Sequence, residues 1–366
     1  MVNNEDAMKR AILLALKGTG KVRTNPLVGA VIIKDGEIIS EGWHHEFGEN
    51  HAEIDAIDKL NNEETNGATL VVNLEPCVHY GKTPPCTPVI IEKKFAKVVI
   101  GMQDPNPVVS GQGISMLREA GIEVETGILE NECQWLNRIF NKHITKGMPY
   151  VILKAAQSAD GCISTSKGES KWLSCEESRK RVHELRAFCD AVLVGKGTAL
   201  TDDPMLTVRE ADGVNPVRIV PDTNLSLPIS LNIFKDAFNN KTFICCNQNE
   251  IVSDKAYELK ALGVETIPCA VNSDNRIDLR LMLKKLYDEY KISSVLVEGG
   301  TNIFSSFADV NLIDELHLFI VPKLIGNGKK TFGELVTNSL SDAKELKFIS
   351  TVLCGDDLHS IFIRKS

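Results

Sequence analysis

One imidazole, one carboxylate and two thiols give the strongest chemical signal in the sequence. They are His51 and Glu53 in the tripeptide His-Ala-Glu, Cys77 directly after a proline, and Cys86. His51, Cys77 and Cys86 match the ligands of a catalytic Zn²⁺, because three protein ligands leave a fourth position open for water. Zinc lowers the pKa of such a water to about 7, so the pattern predicts hydrolytic chemistry near neutral pH.

Glu53 is the predicted proton carrier of this site. Two residues along a helix rotate the side chain by about 200°, so His51 and Glu53 can converge only at a helix end, in its first turn. The positive end of the helix dipole then faces the thiolate-rich site. The same reasoning predicts that Cys77 begins a second helix, because a proline such as Pro76 is favoured at a first helical position.

A structural zinc site, or a set of unrelated buried thiols, is the alternative interpretation. Structural sites usually have four protein ligands, and His44, His45 and His79 are close enough in sequence to supply the fourth. The order His-x-Glu followed by Pro-Cys favours catalysis. It is typical of zinc-dependent nucleobase deaminases, in which the glutamate is a general acid and base and binds no metal.

The segment between the two cysteines is longer than in the common form of this pattern. Cys77 and Cys86 are separated by eight residues, Val-His-Tyr-Gly-Lys-Thr-Pro-Pro, where two are usual. Lys82 lies in this insertion beside Gly81 and two prolines, so a stiff backbone presents its cation. We expect the insertion to carry substrate contacts, with Lys82 suited to a phosphate.

Length and charge limit the classes of protein to which the chain can belong. A chain of 366 residues is long enough to form two domains, each with its own hydrophobic core. Its net charge of −8 argues against a nucleic-acid-binding protein, because such a surface needs an excess of Lys and Arg. The apolar runs stay below the roughly 18 residues of a membrane span, and the N-terminus lacks the basic start of a signal peptide.

These features predict a cytoplasmic protein with neither nucleic-acid nor membrane partners. The ten cysteines are scattered along the chain, and Cys245 and Cys246 are adjacent, which is a poor geometry for a bridge between them. In a reducing compartment we expect free thiols and metal ligands instead of disulfides.

Helix and strand patterns alternate along the chain and restart once. Asp35-Gly36 is a turn of the type that β-hairpins prefer, and the alternation indicates a sheet with helices on both faces. The pattern breaks near Lys146-Gly147-Met148-Pro149 and restarts with a strand at Tyr150–Ala156. The sequence therefore predicts two α/β domains, at 1–146 and 147–366.

Local signals in the second domain predict a helix, a glycine turn and a closing strand. Ser174-Cys-Glu-Glu177 predicts a capping box for a helix that runs to about Arg186. Glu298-Gly299-Gly300 follows a strand and precedes a helix from Thr301, where backbone amides can approach a phosphate, although such a turn is more often only a turn. Glu315–Val321 is expected to close the core. The chain has no G-x-G-x-x-G, so a Rossmann domain is not predicted.

The first domain resembles the bifunctional riboflavin biosynthesis family, diaminohydroxyphosphoribosylaminopyrimidine deaminase / 5-amino-6-(5-phosphoribosylamino)uracil reductase. The wide insertion is that family's form. The resemblance implies a cytidine-deaminase-like three-layer α/β/α domain, with zinc on His51, Cys77 and Cys86 and with Glu53 as the proton shuttle. The stretches that match the family are Asn25–Gly29, Gly42–His44, Gly48–Glu53 and Glu75–Cys86. The substrate contacts that the resemblance implies are Asn25, His44 and Lys82. Without the resemblance, Asn25 is a turn residue before Pro26 and His44 a surface histidine at a hairpin end.

The second domain resembles the reductase of the same family, a dihydrofolate-reductase-like α/β fold. The matching stretches are Leu153–Gly161, Gly168–Trp172, Arg186, Gly197-Thr198, Asp202–Arg209 and Val297–Gly300. The segment Asn239–Ile277 carries little of the resemblance, and Gln157-Ser158-Ala159 departs slightly from the family's usual residues. The resemblance implies nicotinamide contacts from Ala156, Trp172, Thr198, Asp202 and the turn Gly300–Ser306, which includes Thr301 and Asn302. The implied substrate contacts are Ser170, Arg186, Leu206, Arg209 and Glu298.

The charged residues of the second domain suggest two chemical roles, phosphate binding and polar contact near the sugar. Arg186 and Arg209 can grip a phosphate in a bidentate manner. Lys154, Asp202 and Glu298 are candidates to lie near the sugar that is reduced. Each of three residues also has a simpler interpretation. Lys154 could be a strand lysine that faces outward, Trp172 could serve ordinary packing, and Arg186 could be a solvated surface charge.

The resemblance implies two reactions on one phosphoribosylated pyrimidine. The first is the zinc-dependent deamination of 2,5-diamino-6-(5-phosphoribosylamino)pyrimidin-4-one, and the second is the NADPH-dependent reduction of its ribosyl group to ribityl. It also implies a homo-oligomer. One alternative is a nucleotide or RNA deaminase with a non-catalytic second domain. Another is a binding protein that keeps zinc for stability, against which the presence of Glu53 argues.

Overall fold

The protein is described here by a computed structural model, which covers residues 1–22, 24–107 and 109–365. The chain divides into two compact units, Met1–Met148 and Pro149–Ser366. Within the described ranges, no helix is both long and apolar enough to cross a membrane.

The first unit is a mixed sheet with helices between its strands. The strand order is β2-β1-β3-β4-β5, with β1 antiparallel to both neighbours and the pairs β3/β4 and β4/β5 parallel. Its strands are β1 (Gly29–Lys34), β2 (Glu37–Trp43), β3 (Thr69–Leu74), β4 (Lys97–Met102) and β5 (Glu123–Thr126). Its helices are α1 (Asn4–Ala15), α2 (Ala52–Ile57), α3 (Asn62–Thr65), α4 (Cys86–Glu92), α5 (Gln112–Glu119), α6 (Glu130–Leu136) and α7 (Arg138–Lys146).

Two glycines show that α1 and α2 cover opposite faces of this sheet. A Cβ atom on Gly29 would lie 2.0 Å from the carbonyl oxygen of Ala11 in α1, and one on Gly42 would lie 2.3 Å from that of Ala52 in α2. Gly29 is paired with Trp43, the neighbour of Gly42. Successive strand residues point to opposite faces, so the two helices lie on opposite sides of the sheet. The predicted hairpin at Asp35-Gly36 is present, and both residues have positive φ.

The start of α4 corrects one prediction. Cys77 does not begin a helix; it lies in the connection that follows β3, and the helix begins nine positions later, at Cys86, with Pro85 as its N-cap. A proline does precede this helix, but it is Pro85 at the N-cap position, and not Pro76 at a first helical position. Cys77 follows the buried end of β3, and the inserted residues continue as turns up to the proline pair.

The second unit contains a large, mostly parallel sheet. The strand order is β11-β10-β9-β8-β12-β6-β13-β16-β15, parallel from β11 through β13 and antiparallel from there to the edge strand β15. Its strands are β6 (Tyr150–Ser158), β7 (Cys162–Ser164), β8 (Ala191–Leu193), β9 (Val217–Pro221), β10 (Thr242–Asn247), β11 (Val264–Cys269), β12 (Ser294–Glu298), β13 (Glu315–Val321), β14 (Lys329–Lys330), β15 (Leu346–Cys354) and β16 (Asp357–Arg364). Its helices are α8 (Glu176–Phe188), α9 (Lys196–Asp202), α10 (Asn232–Lys235), α11 (Asp254–Ala261), α12 (Leu279–Tyr290) and α13 (Thr301–Asp309).

Two predictions for the second unit are wrong. Glu315–Val321 forms β13 as expected, but the sheet continues beyond it with the hairpin β15–β16. The capping box at Ser174 is not formed, because α8 has Cys175 as its N-cap. Asp357 of β16 replaces the box: its Oδ2 accepts hydrogen bonds from the Cys175 N–H (2.9 Å) and the Ser178 hydroxyl (2.6 Å). A carboxylate distant in sequence thus satisfies the start of the helix.

Two buried histidines link β13 and β16. His317 Nδ1 lies 2.8 Å from His359 Nε2, and His317 Nε2 donates to the carboxylate of Glu315. The ring of Phe319 stacks on His359, with centroids 4.3 Å apart. Burial, followed by the neighbouring His317 and Arg181, lowers the pKa of His359 to about 4. The folded protein therefore keeps His359 neutral at pH values where an unfolded chain would protonate it.

This shift predicts a loss of stability in acid. Between pH 6.5 and 4 the unfolded state binds a proton at His359 that the folded state does not, so the free energy of unfolding falls as the pH falls. The slope due to this residue approaches about 1.4 kcal/mol per pH unit. Urea unfolding curves at pH 7, 6 and 5 should show a smaller pH dependence for His359→Gln than for the wild type. His79→Gln, which removes an exposed imidazole, serves as the control, and equal slopes for wild type and His359→Gln would contradict the assignment.

Candidate active sites

The donor atoms of His51, Cys77 and Cys86 converge in the first unit. They lie within 4.8 Å of one another, with His51 Nδ1 at 3.4 Å from Cys77 Sγ and 3.3 Å from Cys86 Sγ. One imidazole nitrogen and two sulfurs are a donor set that suits zinc. Within the described ranges no other group of His, Cys, Asp and Glu side chains forms such a cluster.

Three separate segments bring these donors together. His51 is the N-cap of α2 and Cys86 is the first residue of α4, so both stand at helix starts, where the dipole favours negative sulfur. Cys77 lies in the loop after β3, and its carbonyl accepts a hydrogen bond from the N–H of Thr87 (3.1 Å). The Cys86 thiol and, less strongly, the His51 ring lower the pKa of the Cys77 thiol to about 4, so Cys77 is poised to be a thiolate ligand.

A buried carboxylate fixes the backbone just before Cys77. The side chain of Glu75 accepts three backbone N–H bonds, from Asp104 (3.1 Å), Gly111 (3.0 Å) and Ile114 (3.2 Å). These bonds tie the end of β3 to the loop and first turn of α5. Sequence reasoning missed this role of Glu75, although a Glu directly before Pro-Cys could have suggested one.

Glu53 lies in the first turn of α2, as predicted from its spacing with His51. It is buried, with 3% of its surface exposed. Burial, followed by the charge of Cys77, raises the pKa of Glu53 to about 7. A carboxyl group with that pKa can both accept and release a proton near neutral pH.

Asn25 and His44 are hydrogen-bonded to each other beside the metal donors. His44 Nδ1 donates to the carbonyl of Asn50 (3.0 Å), so its Nε2 accepts from the Asn25 side-chain amide (3.0 Å). Burial lowers the pKa of His44, which keeps the ring neutral in this tautomer. His44 is buried and its ring lies edge-on to that of His51, with centroids 5.7 Å apart. The structure therefore differs from the alternative of an exposed histidine at a hairpin end.

Lys82 lies on the exposed part of the insertion. Its Nζ is 4.1 Å from the centroid of the Phe47 ring, a distance typical of a cation–π contact. The contact holds the ammonium group near the metal-binding loop while leaving it open to solvent.

All of the residues predicted for the reductase line one cavity of about 1240 Å³ in the second unit. The cavity lies beyond the carboxyl ends of the parallel strands β6, β8 and β12, where open α/β sheets bind ligands. Its predicted lining residues are Lys154, Ala156, Ser170, Trp172, Arg186, Thr198, Asp202, Leu206, Arg209, Glu298, Gly300, Thr301 and Asn302.

A buried ion pair occupies the floor of this cavity. Arg186 forms a bidentate pair with Glu298, with Nε–Oε1 and Nη2–Oε2 distances of 2.6 and 3.0 Å, and its Nη1 donates to the Thr207 carbonyl at 3.0 Å. Arg186 is thus not the solvated surface charge of the alternative interpretation. Each of its three guanidinium nitrogens already has a protein partner, and its contact with a substrate phosphate stays a prediction.

Lys154 lies next to this pair and faces inward. It is directly opposite Glu298 on the neighbouring strands β6 and β12, and burial lowers its pKa. For Glu298, burial raises the pKa, but the charge and hydrogen bonds of Arg186 together with the charges of Lys154 and His183 outweigh it, so the pKa is lowered. The outward-facing alternative for Lys154 is therefore wrong.

His183 is a cavity residue that sequence reasoning missed. It lies three positions before Arg186 on α8, which puts both on one face of the helix, and this spacing was the available signal. His183 Nδ1 accepts a hydrogen bond from the N–H of Arg209 at 3.1 Å. Burial, followed by Arg186 and Arg209, lowers the pKa of His183, so it stays a neutral acceptor that fixes the Arg209 backbone.

The glycine turn and α13 form one wall of the cavity. Gly300 is the N-cap of α13, and Thr301 is its first residue. The Thr301 hydroxyl donates to the Lys330 carbonyl at 2.6 Å, which ties the start of the helix to β14. The first N–H groups of such a helix are suited to an anion such as a phosphate.

Comparisons with known proteins match both units of the chain. Residues 1–102 match the cytidine and deoxycytidylate deaminase zinc-binding region, and residues 149–360 match the RibD C-terminal domain. Riboflavin biosynthesis protein RibD of Actinobacillus pleuropneumoniae is 41% identical over 355 residues, which are 96% of this chain and 93% of that protein. The chain belongs to the RibD family.

Two solved structures match this chain along almost its whole length. Acinetobacter baumannii RibD has a TM-score of 0.87 at 33% identity, and a deaminase/reductase from Thermotoga maritima has a TM-score of 0.86 at 39% identity; each comparison covers 99% of both chains. The predicted fold class is therefore confirmed: a cytidine-deaminase-like domain and a dihydrofolate-reductase-like domain. The protein is a bifunctional riboflavin biosynthesis enzyme, with a zinc-dependent deaminase part and a reductase part.

Proposed function

We propose that the chain catalyses two consecutive steps on one phosphoribosylated pyrimidine. Domain 1–146 deaminates 2,5-diamino-6-(5-phosphoribosylamino)pyrimidin-4-one, and domain 147–366 reduces the ribosyl group of the product, 5-amino-6-(5-phosphoribosylamino)uracil, to ribityl with NADPH. The observation that carries the proposal is the presence of both groupings in one chain. Three metal donors converge beside a buried glutamate in the first unit, and a single large cavity gathers the reductase residues in the second.

In the deaminase, the protein residues move the protons and hold the substrate. When bound by His51, Cys77 and Cys86, zinc supplies Lewis-acid activation of a water molecule. Glu53 takes one proton from the attacking water and delivers it to the ring nitrogen. It then takes the second proton from the new hydroxyl and delivers it to the departing amine, which leaves as ammonia, and its raised pKa suits both transfers. The substrate contacts proposed here are Asn25, His44 and Lys82.

Asn25 and His44 are suited to orient the pyrimidine, and Lys82 to bind the phosphate. The hydrogen bond between Asn25 and His44 pre-orients two polar groups next to the metal donors, so little ordering remains to be done on binding. Lys82 is exposed and close to the same loop, where its charge can meet a dianionic phosphate.

In the reductase, the residues position two ligands in one cavity. NADPH supplies the hydride that reduces the sugar carbon carrying the amine. We propose that its contacts are Ala156, Trp172, Thr198, Asp202, Gly300, Thr301 and Asn302, and that the substrate contacts are Ser170, Arg186, Leu206, Arg209 and Glu298. Lys154, Asp202 and Glu298 are the proposed polar groups at the opening sugar ring. NADPH, not NADH, is the cofactor that the family resemblance implies.

The alternative of a nucleotide or RNA deaminase with an inert second domain is not supported. The second unit matches the RibD C-terminal domain over residues 149–360 and presents a cavity lined by the expected polar groups. The net charge of −8 also disfavours a long polyanionic substrate.

We also propose that the enzyme acts in the cytoplasm as a homo-oligomer. Within the described ranges none of the ten cysteines is joined in a disulfide, as expected in a reducing compartment. β15 is the edge strand of the large sheet, and its side chains Phe348, Val352 and Leu353 are 57%, 55% and 77% exposed. Such an apolar edge favours association with a second copy of the same strand.

Glu53→Gln tests the proton-transfer role. The amide is the same size but cannot carry the proton, so ammonia release should fall about 10²- to 10⁴-fold while the chain keeps its zinc. One coupled assay of ammonia release and NADPH absorbance, with and without a zinc chelator, measures both activities. Glu63→Gln, an exposed glutamate on α3, is the matched control. Deamination by Glu53→Gln at the wild-type rate would refute the role of Glu53.

Lys154→Met tests the reductase assignment. Methionine fills the buried space without the amine, so NADPH oxidation with the deaminated substrate should slow by about 100-fold or more, while ammonia release is unchanged. Lys241→Met removes an exposed lysine of the same unit and should leave both rates unaltered. Unchanged reductase turnover in Lys154→Met removes this residue from the mechanism.

Leu353→Glu tests the proposed association through β15. A buried charge at the contact should shift the sedimentation coefficient from that of an oligomer to that of a single chain. Val214→Glu places the same charge at another exposed apolar residue (72% exposed) and should leave the oligomer intact. An unchanged sedimentation profile for Leu353→Glu rules out this edge as the interface.

A further inference from the structure

Thr83 contacts the histidine of the metal site from within the insertion. Its hydroxyl oxygen lies 3.1 Å from His51 Nε2. Thr83 is half-buried, whereas the neighbouring residues Lys82 and Pro84 are exposed. Its carbonyl accepts a hydrogen bond from the Gly81 N–H at 3.3 Å, so a tight turn presents the hydroxyl toward the ring.

The two nitrogens of His51 have different surroundings. Nδ1 faces both sulfurs, at 3.4 and 3.3 Å, so Nδ1 is the atom that can bind the metal. A neutral imidazole that binds metal through Nδ1 carries its proton on Nε2. The Nε2–H group then donates to Oγ1 of Thr83, which lies 3.1 Å away.

We infer that Thr83 is a positioning residue that sets the tautomer and the ring orientation of His51 for zinc binding. A hydrogen bond to the second nitrogen of a metal-binding histidine fixes the ring and strengthens the ligand. This inference rests on the proposed deaminase function, because the metal concerned is the zinc of that site. It assigns the insertion a part in metal binding, in addition to the proposed contact of Lys82 with substrate.

Neighbouring side chains of the insertion therefore serve two different tasks. Lys82 extends over the Phe47 ring on the exposed side, and Thr83 reaches the His51 ring on the inner side. The insertion then passes through Pro84 and Pro85 into Cys86, the first residue of α4. One short, stiff segment thus supplies a metal ligand and orients another.

The test compares Thr83→Val, Thr83→Ser and Lys82→Met in the full-length chain. Valine keeps the shape of threonine but has no hydrogen-bonding oxygen, and serine restores the hydroxyl. The apparent zinc dissociation constant is measured by competition with a chromophoric chelator. The absorption spectrum of the Co²⁺-substituted protein reports the ligand geometry, and KM and kcat for ammonia release complete the set.

The expected pattern separates the two tasks. Thr83→Val should weaken zinc binding by about 10- to 100-fold and change the Co²⁺ spectrum, while Thr83→Ser stays within about threefold of wild type. Lys82→Met should raise KM and leave zinc affinity unchanged. In zinc-saturated Thr83→Val, KM should stay near the wild-type value, because the hydroxyl acts on the ligand and not on the substrate.

Two results would overturn the inference. One is wild-type zinc affinity in Thr83→Val, and the other is an equal loss of affinity in Thr83→Ser, which would indicate that the loop's shape matters and the hydroxyl does not. The proposed function fails differently: a wild-type chain that binds no zinc, or that releases no ammonia from the pyrimidine, would refute the deaminase itself.

Discussion

The first unit depends on bringing two sulfurs and one imidazole nitrogen to the same point. Two thiolates within a few ångströms of each other repel, so the site needs compensation from its surroundings. Helix starts at His51 and Cys86 direct their positive ends toward it, and the Cys86 N–H points at the sulfur of Cys77 at 3.4 Å. A divalent zinc ion completes this compensation, because its charge is the largest in the site.

The same constraint explains why Glu53 is placed where it is. The helix α2, which has His51 as its N-cap, has only its first turn near the metal donors, and the Glu53 carboxylate lies in that turn. Its burial raises its pKa, which makes it an effective proton carrier at neutral pH. The helix start that supplies the proposed metal ligand His51 thus also places Glu53, the proposed proton carrier.

Sequence predicted the chemical residues better than the contacts that hold them. The His51–Glu53 geometry followed from helix periodicity alone, and the glycine turn before α13 was found where it was expected. The start of α8 was predicted wrongly, because the carboxylate that accepts the hydrogen bond of the Cys175 N–H belongs to Asp357, far along the chain. Tertiary contacts of this kind leave no local pattern, so a local box at Ser174 was the best available inference.

Sequence analysis wrongly placed Cys77 at a helix start and missed the contact of Thr83 with His51, because both depend on the path of the backbone through the insertion. Two proline signals flank the insertion, and only the backbone path shows that the second one begins a helix. In the sequence Thr83 is an ordinary loop threonine. Its inferred role in orienting His51 can be recognised only from the structure, which shows which nitrogen of His51 faces the sulfurs. The hairpin β15–β16 was missed for a different reason: β15 is exposed along most of its length, so it lacks the alternation of buried and exposed side chains by which strands are recognised.

The reductase cavity contains the buried ion pair between Arg186 and Glu298. A buried pair such as Arg186–Glu298 contributes little net stability, because desolvation offsets most of the attraction. Its value lies in geometry: the bidentate contact fixes the Glu298 carboxylate beside Lys154. Burial, aided by the positive charge of Arg186, outweighs the attraction of Glu298 and lowers the pKa of Lys154. The arrangement thus holds a carboxylate and an amine with a lowered pKa side by side, and these are the groups that we propose to exchange a proton with the hydroxyl of the opening sugar ring.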